Sequence, residues 1–293
     1  MQSKSLSSSH TQVATYRDLE NFVDAFARGC LNLVIIYGRP GVGKSWTVRN
    51  RVGKQAFTIN GTASPFGIYI AAYEHRDELI VLDDIDGLTA SPQGVRLLKA
   101  LAQTDSEKTV SWESQAPALR RLQIPRSFRT RSPLAILANS QFDSEDARAL
   151  EDRGHVLEFD PSPREVHQQA STWFRDQEIF DFIGAYLHLM PLHSFRIYVK
   201  AKELMNAGLP WETAVLERCL SGKTLEVAKL RCDRSFQSEE ERARAFVQRG
   251  LGCRATYFNH VRRLRSREPQ VAAPRIVLAS PPPQLQLELK LSA

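Results

Sequence analysis

The sequence predicts an α/β protein in which a parallel five-stranded sheet has helices on both faces and is followed by a helical lid and a small C-terminal helical module. Three observations lead to this prediction. Short apolar runs alternate with segments of helical periodicity up to residue 161, a pattern typical of parallel sheets. A glycine-rich octet joins one apolar run directly to a helical segment. After residue 161 helical patterns predominate.

The octet spans residues 38–45 and fits the phosphate-binding pattern G-x-x-x-x-G-K-[ST]. A strand pattern over 31–37 precedes it, and 45–49 can open a helix, which is the context that the pattern requires. Backbone N–H groups of such a loop surround phosphates, Lys44 can reach the β- and γ-phosphates, and the Ser45 hydroxyl can bind Mg²⁺. The alternative is a glycine-rich turn that binds nothing. The predicted ATP-binding residues are Gly38, Arg39, Pro40, Gly41, Val42, Gly43, Lys44, Ser45 and Trp46.

The elements around this loop extend the α/β pattern. Residues 1–12 are expected to form a flexible tail, and 16–28 has apolar residues at helical spacing. A short strand over 56–61 and a helix over 64–75 precede the apolar run 78–86, which ends in acids. Because parallel strands present bound ligands at their carboxyl ends, Asp83 is predicted to hold Mg²⁺, and Asp84 to orient or deprotonate the attacking water. The alternative is a strand that stops at a polar turn.

The rest of the predicted core, residues 13–161, supplies the last two strands. A helix over 93–103, a short strand or hairpin at 109–112, a strand over 134–139, a helix over 145–152 and a strand over 155–159 follow in order. Residues 113–132 carry five arginines, which form either a solvated basic loop or a DNA-facing or pore-type loop. A capping box at Ser162 then opens the first of three helices, over 162–174, 176–190 and 194–208, which together form the predicted lid.

The basic charge of the chain is concentrated near its end. Lys229–Arg267 has eleven basic residues against four acidic ones, so the rest of a chain of net charge +6 is nearly neutral. Within residues 209–267, a helix over 238–249, a glycine turn and a helix over 254–265 resemble a helix-turn-helix domain, with 224–232 as a supporting helix. Residues Ala255, Phe258, Val261 and Leu264 form the predicted apolar face of the last helix. The predicted DNA-binding residues are Arg254, Thr256, Tyr257, Asn259, His260 and Arg263. The alternative is a basic helical hairpin that supports the lid or binds an acidic protein surface.

Several classes of protein are disfavoured by composition. The first residues contain no apolar signal-peptide region and no run of eighteen apolar residues occurs, so we expect a soluble, cytoplasmic protein that does not enter a membrane. The four cysteines lack metal-ligand spacing and are expected to be idle thiols. Residues 268–293 are rich in proline and are expected to form a flexible tail.

In their order, the phosphate-binding loop, the acidic strand end, the strand ending in asparagine and the helical lid resemble an AAA+ ATPase from about Tyr16 to Gly208. The resemblance implies that Asn139 contacts the γ-phosphate or the attacking water, and that Asn60 is a polar switch that restrains the catalytic acid. It implies that Arg153 is an arginine finger for a neighbouring subunit, with Arg148 as the alternative, and that Arg196 is a lid arginine that contacts the γ-phosphate. A surface ion pair is the alternative role for Arg153 and Arg196. The Asp83-Asp84 pair replaces the Asp-Glu of many members and favours the replication initiators, helicase loaders and transposition helper ATPases.

These features lead to three hypotheses about function. The first is an ATP-hydrolysing, slow AAA+ protein that binds duplex DNA as a nucleotide-gated homo-oligomer in replication, helicase loading or transposition, with a helicase or transposase as a further partner. The second is a non-catalytic DNA-binding regulator that ATP switches. The third is a protein-remodelling ATPase whose basic segment binds an acidic client.

Overall fold

The structure is a computed structural model that describes residues 10–113, 117–190 and 193–265. The chain divides into two compact units, Met1–Pro161 and Ser162–Ala293. Unit 1 contains all the described strands, whereas the described part of unit 2 is helical. No helix in these described ranges is long and apolar enough to cross a membrane. The four cysteines, all of which the structure describes, are free thiols.

Unit 1 is built on a sheet of six parallel strands with helices on both faces. From one edge to the other, the strands are Thr11–Val13 (β1), His155–Phe159 (β8), Leu33–Gly38 (β2), Leu134–Ala138 (β7), Leu79–Asp83 (β4) and Ala56–Asn60 (β3). The three central strands β2, β7 and β4 are apolar nearly throughout, as expected for strands covered on both sides. The α/β fold predicted from the sequence is therefore confirmed, with one strand more than predicted.

The additional strand β1 corrects the prediction of a flexible tail over residues 1–12. Thr11 pairs with Leu157 and Val13 with Phe159, so the backbone of residues 11–13 adds a parallel strand to the edge of the sheet. The short segment has no apolar run that could have indicated a strand. It is held mainly by these backbone contacts with β8. Residues 1–9 of the predicted tail lie outside the described residues.

A second, smaller sheet lies between the fifth helix and β7 in the chain. Lys108–Ser111 (β5) pairs antiparallel with Ser127–Thr130 (β6), so the strand or hairpin predicted near residue 109 is confirmed. Its partner strand falls in the arginine-rich region, which was predicted to be a loop. The helices of unit 1 are Tyr16–Ala27 (α1), Lys44–Val52 (α2), Pro65–Glu74 (α3), Asp86–Thr89 (α4), Pro92–Leu101 (α5), Pro117–Arg121 (α6) and Glu145–Arg148 (α7).

The helices of unit 2 are Pro163–Ala170 (α8), Gln177–Tyr186 (α9), Arg196–Asn206 (α10), Trp211–Cys219 (α11), Gly222–Cys232 (α12), Glu239–Gln248 (α13) and Arg254–Leu264 (α14). They form two hydrophobic clusters that share one helix. Trp211 and Val215 belong to the first cluster, with α8, α9 and α10, whereas Leu216 of the same helix belongs to the second, with α12, α13 and α14. This shared helix, α11, was not among the predicted elements. The division of this unit into a lid and a DNA-binding module stays a prediction.

Candidate nucleotide-binding site

The predicted site residues of unit 1 converge at the carboxyl edge of the sheet because of the strand order. β7 lies between β2, which leads into the glycine-rich loop, and β4, which ends at Asp83. Asn139 follows β7 directly and therefore emerges between the loop and the acids. Ligands of open α/β sheets bind at this edge.

The glycine-rich loop adopts a conformation that needs its glycines. Gly41 and Gly43 have φ angles of 83° and 82°, in the left-handed region that residues with a Cβ rarely adopt. A Cβ on Gly38 would lie 2.6 Å from the carbonyl oxygen of Phe159, because β2 and β8 pair closely there. Helix α2 begins at Lys44, directly after the loop, so its first N–H groups are at the loop. The geometry is that of a phosphate-binding loop.

Two further contacts hold the loop from within the unit. Val42 is fully buried, and the hydroxyl of Tyr16 donates a hydrogen bond of 2.7 Å to its carbonyl oxygen. The guanidinium of Arg39 contacts the Asp160 carboxylate at 2.9 Å and the Pro161 carbonyl oxygen at 3.1 Å. In this structure the Arg39 side chain therefore fixes the loop to the chain after β8. Nothing in the local sequence indicated the contact from Tyr16, which lies 26 residues away.

Lys44 is the buried cation of the site. Lys44 is only 6% exposed. Its Nζ donates hydrogen bonds to the carbonyl oxygens of Gly38 and Arg39, the latter at 3.1 Å. Nζ also donates to Oδ1 of Asn139 at 3.2 Å. The ammonium group therefore lies inside the loop, where it can exchange these oxygens for phosphate oxygens.

Asn139 links Lys44 to Asp84. Its Nδ2 donates a hydrogen bond of 3.0 Å to Oδ1 of Asp84, while its Oδ1 accepts from Lys44. The two contacts define the orientation of the amide, because an ammonium needs an acceptor and a carboxylate needs a donor. Asp84 itself has a φ angle of 62°, which aspartate tolerates better than most residues. The three side chains form one continuous chain of hydrogen bonds.

The second pair of polar side chains is Ser45 and Asp83. The Ser45 hydroxyl donates to Oδ1 of Asp83 at 2.9 Å, so two oxygen ligands lie side by side next to the loop. Within the described residues, no group of three or more His, Cys, Asp or Glu side chains is placed to hold a metal ion. Mg²⁺ typically needs only one or two protein oxygens when substrate phosphates and water supply the others, so the pair fits Mg²⁺ bound together with a nucleotide.

The other residues predicted for this site are placed less centrally. Asn60 is exposed at the end of β3, in register with Asp83. Pro40 is exposed and Trp46 half-buried. Arg196 belongs to unit 2, where it is exposed at the first residue of α10. The roles assigned to Asn60 and Arg196 stay predictions.

Arg153 ends a single 3₁₀ turn, Glu151–Arg153, which is held in an unexpected way. Glu151 is 6% exposed and accepts a hydrogen bond of 2.7 Å from the Tyr37 hydroxyl. His10 contacts Glu151 through Nε2 at 3.2 Å and Glu158 through Nδ1 at 2.8 Å. The hydrogen bonds and charges of these two carboxylates raise the pKa of His10 above its usual value, against the effect of burial. Sequence reasoning missed this network, whose hydrogen bonds join residues more than 100 positions apart in the chain.

Arg153 and Arg148 differ in what they contact. Arg148 donates to the carbonyl oxygens of Phe142 and Asp143 at 3.1 and 3.3 Å. Arg153 is half-buried, and its guanidinium makes neither an ion pair nor a hydrogen bond with the residues that the structure describes. Of the two candidates, Arg148 is the more exposed, but its guanidinium already donates to two carbonyl oxygens, whereas that of Arg153 does not.

The predicted DNA-binding helix α14 exists, but its buried face differs from the prediction. Tyr257, Val261 and Leu264 are buried, whereas Ala255 is exposed. The Tyr257 side chain is fully buried, and its hydroxyl donates to Oε2 of Glu239 at 2.6 Å. Tyr257 was therefore wrongly predicted to contact DNA, because the spacing of apolar residues fitted two overlapping faces of the helix.

The other predicted residues of α14 divide into partnered and open ones. His260 contacts the Thr224 hydroxyl of α12 at 2.8 Å, and Thr256 is half-buried and contacts Cys253 at 3.3 Å. Arg254 forms a two-pronged ion pair with Glu240 at 2.5 and 3.0 Å. Asn259 and Arg263 are exposed, and Oδ1 of Asn259 accepts a hydrogen bond of 3.2 Å from the exposed Arg262. The exposed face of the helix therefore carries Asn259, Arg262 and Arg263, with the ion-paired Arg254 at its start.

The fold and the loop geometry show that unit 1 is an α/β domain whose parallel sheet carries a loop of phosphate-binding geometry. No protein-family model and no curated protein matches the chain. Among solved structures, the chain is similar to NtrX from Brucella abortus in complex with ATP, with 13% identity, a TM-score of 0.42, and coverage of 86% of this chain and 68% of NtrX. It is also similar to C. elegans PCH-2, with 16% identity, a TM-score of 0.37, and coverage of 74% and 68%. A likeness of this extent does not assign the chain to a family.

Proposed function

We infer that this chain is an AAA+ ATPase that works as a nucleotide-gated, DNA-binding oligomer in DNA replication, helicase loading or transposition of a mobile element. The observation that carries this proposal is the hydrogen-bonded chain Lys44–Asn139–Asp84 beside the pair Ser45–Asp83. In one place it offers a cation for phosphates, two oxygens for Mg²⁺ and a carboxylate for water.

Each of these groups has a defined part in hydrolysis. The loop N–H groups and Lys44 would bind the β- and γ-phosphates and stabilise charge in the transition state, and Ser45 and Asp83 would hold Mg²⁺. A metal ion held by Ser45 and Asp83 would supply positive charge that offsets the charge of the phosphates. Asp84, oriented by the Asn139 amide, would position the water that attacks the γ-phosphorus and accept its proton.

The DNA-binding part of the proposal rests on α12, α13 and α14. These helices share one hydrophobic cluster, and the turn between the last two contains Gly250 and Gly252 with φ angles of 68° and 149°. Arg262, Arg263 and Asn259 are exposed on α14, and such side chains bind phosphates and base edges. We propose that these helices act as a helix-turn-helix whose second helix, α14, enters the major groove.

The second candidate is a DNA-binding regulator in which ATP acts as a switch without turnover. It is favoured by the short Asp84 side chain, one oxygen of which already accepts from Asn139. In this case Asp84→Asn would leave DNA regulation nearly unchanged. In the first case the same substitution would trap an ATP-bound assembly on DNA.

The test is steady-state ATP hydrolysis over a series of protein concentrations, with and without duplex DNA, at two salt concentrations. We expect slow turnover that DNA stimulates and salt suppresses, and a loss of about 10²-fold or more in Lys44→Ala. Lys54→Ala is the matched control, because Lys54 is an exposed lysine in the turn after α2. Normal turnover in Lys44→Ala would refute the assignment. Turnover that is indifferent to DNA would favour a protein-remodelling ATPase with an acidic client.

A further inference from the structure

Five exposed arginines lie on helix α6 and on or beside strand β6 of unit 1, far along the chain from α14. We call them the arginine face: Arg120 and Arg121 on α6, Arg129 on β6, and Arg126 and Arg131 directly before and after β6. Between Trp112 and Arg131 these five arginines accompany a single acid, Glu113. The proposed ATPase chemistry uses none of them.

The alternation of β6 places part of the arginine face on the solvent side of the sheet. Phe128 and Thr130 are buried, whereas Ser127, Arg129 and Arg131 are exposed. On β5, Thr109 lies opposite Arg129 and Ser111 opposite Ser127, and both are exposed. The outer side of the sheet is therefore a surface of hydroxyl and guanidinium groups, which are the donors that proteins use for phosphate oxygens.

The core of unit 1 holds this sheet firmly. Phe128 packs against the rings of Tyr69 and Tyr73, with centroid distances of 5.3 and 5.4 Å. Lys108 is fully buried and its Nζ donates to the Ser132 carbonyl oxygen at 2.6 Å. The Tyr69 hydroxyl donates to the carbonyl oxygen of Pro125 at 2.7 Å, next to Arg126. The arginine side chains thus extend from a fixed platform rather than from a free loop.

Intramolecular ion pairs account for little of this charge. Glu107 is shared by Arg129, at 3.0 Å, and Arg131, at 3.5 Å, and all three side chains are solvent-accessible. Arg120, Arg121 and Arg126 make no ion pair with the residues that the structure describes. Two carboxylates, Glu107 and Glu113, against five guanidinium groups leave a net positive surface that attracts anions.

The character of the surface favours a nucleic acid over an acidic protein. Protein interfaces have an apolar core, but among the described residues this stretch offers one markedly exposed large apolar side chain, Leu122 next to Arg121, which is too little for such a core. Arg129 and Arg131 recur along one side of a strand at about 7 Å, which suits a chain of evenly repeated charges. We propose that the arginine face binds the sugar–phosphate backbone of a nucleic acid and is a second contact, independent of α14.

The experiment measures binding of full-length protein to a fluorescent single-stranded oligonucleotide, and to the same sequence as a duplex, by anisotropy over a salt series. The variant is Arg126→Ser, Arg129→Ser, Arg131→Ser. Its control, Arg17→Ser, Arg28→Ser, Arg96→Ser, removes the same charge from three exposed arginines elsewhere in unit 1. We expect the variant to lower the slope of log affinity against log salt by about 2 to 3, because each lost phosphate contact contributes about 0.7–0.9. The control should keep the wild-type slope.

Three outcomes would overturn the proposal: an unchanged slope in the variant, an equal loss in the control, or equally strong binding of poly-glutamate that depends on the same arginines. ATP turnover without DNA should be unchanged in the variant, since its residues lie outside the nucleotide site. Adding Arg262→Ser and Arg263→Ser to either triple variant separates the two surfaces. A loss specific to the arginine face in that background supports the proposal even if α14 does not bind DNA.

Discussion

At the scale of single residues, Asn139 is where the phosphate-binding loop and the acidic strand end meet. Its oxygen accepts from Lys44 at 3.2 Å and its nitrogen donates to Asp84 at 3.0 Å. An aspartate at this position would repel Asp84, and an aliphatic residue would contact neither charge by a hydrogen bond. The amide of Asn139 serves both partners because it carries an acceptor and a donor on one group.

Replacing Asn139 should therefore affect turnover more than binding. In Asn139→Ala, Lys44 keeps the Gly38 and Arg39 carbonyl oxygens, whereas Asp84 loses the donor that orients it. We expect kcat to fall by about 10²-fold, with a much smaller change in the Kd for ATP. The measurements are single-turnover hydrolysis and equilibrium binding, and the control is the exposed neighbour in Ser140→Ala. An equal loss of binding and turnover would show that Asn139 only supports the loop.

A second residue-scale feature is the buried pair of histidines around Tyr198 in unit 2. The Tyr198 hydroxyl lies 2.7 Å from Nδ1 of His167 and 2.7 Å from Nε2 of His193. His167 is 3% exposed and its ring stacks on Phe180. Burial lowers the pKa of His167 from 6.5 to about 4, with Asp181 acting weakly in the opposite direction. The folded protein therefore holds His167 neutral.

This pKa predicts a loss of stability in acid. Between about pH 4 and 6.5 the unfolded chain binds the His167 proton and the folded chain does not, so the stability contribution is complete above pH 6.5 and decreases as the pH falls towards 4. The full difference is about 3 kcal/mol. Urea unfolding at pH 7.5 and 5 should show a smaller decrease in His167→Gln than in the wild type. His188→Gln, which removes an exposed histidine of the same unit, should follow the wild type. Equal pH dependence in all three proteins would contradict the lowered pKa.

At the scale of elements, the spacing of apolar residues in α14 predicted the helix itself more accurately than its buried face. Residues 254–265 were correctly predicted as a helix, and Val261 and Leu264 of the predicted apolar face are buried. Ala255 of that face is exposed and Phe258 half-buried, whereas Tyr257, predicted to be on the opposite face, is buried. A tyrosine can occupy a buried position when its hydroxyl has a partner, and Glu239 of α13 supplies one at 2.6 Å. That partner comes from another helix, so the sequence of α14 alone does not reveal it.

The two faces of α14 predict opposite effects for two substitutions. Tyr257→Phe removes a buried hydrogen bond and should lower the free energy of unfolding by about 1 kcal/mol without changing DNA affinity. Arg263→Ser changes an exposed side chain and should leave stability unchanged, while lowering the salt slope of DNA binding by about 1. Thermal unfolding and anisotropy with duplex DNA measure the two effects. If Tyr257→Phe weakened DNA binding at unchanged stability, the buried position of this side chain would be contradicted.

Features that depend on neighbouring residues could be predicted from the sequence, whereas features that depend on contacts between distant residues could not. The strands β2, β4 and β7 are continuous apolar runs, and Asp83, Asp84 and Asn139 stand at or just after their ends, so local patterns located them. The bond between Asn139 and Lys44 depends on β7 lying between β2 and β4, and local patterns carry no strand order. β1 and β6 were missed because one has three residues and the other includes an arginine and is bordered by two more. Each gains its stability from a distant partner strand.

At the scale of the whole molecule, the position of Arg153 bears on assembly. Gly154 packs against Leu33, at the amino end of β2, whereas the phosphate-binding loop starts at Gly38, at the carboxyl end of the same strand. Five residues of strand separate the two ends by about 16 Å, which is more than an arginine side chain spans. If Arg153 acts on a nucleotide, that nucleotide belongs to another subunit. Head-to-tail contacts of this kind build rings or filaments.

A mixing experiment tests this arrangement. Lys44→Ala and Arg153→Ala should each lack ATP turnover, but in a 1:1 mixture a subunit with an intact Lys44 can receive Arg153 from its neighbour. Random head-to-tail assembly would then restore about a quarter of the wild-type rate. Mixing Lys44→Ala with Asp84→Asn is the control and should restore nothing, because both substitutions damage the same site and leave no subunit with a complete one. Recovery with Arg148→Ala in place of Arg153→Ala would assign the finger to Arg148 instead. An Arg153→Ala protein that turns over ATP at the wild-type rate would contradict a role for this arginine between subunits.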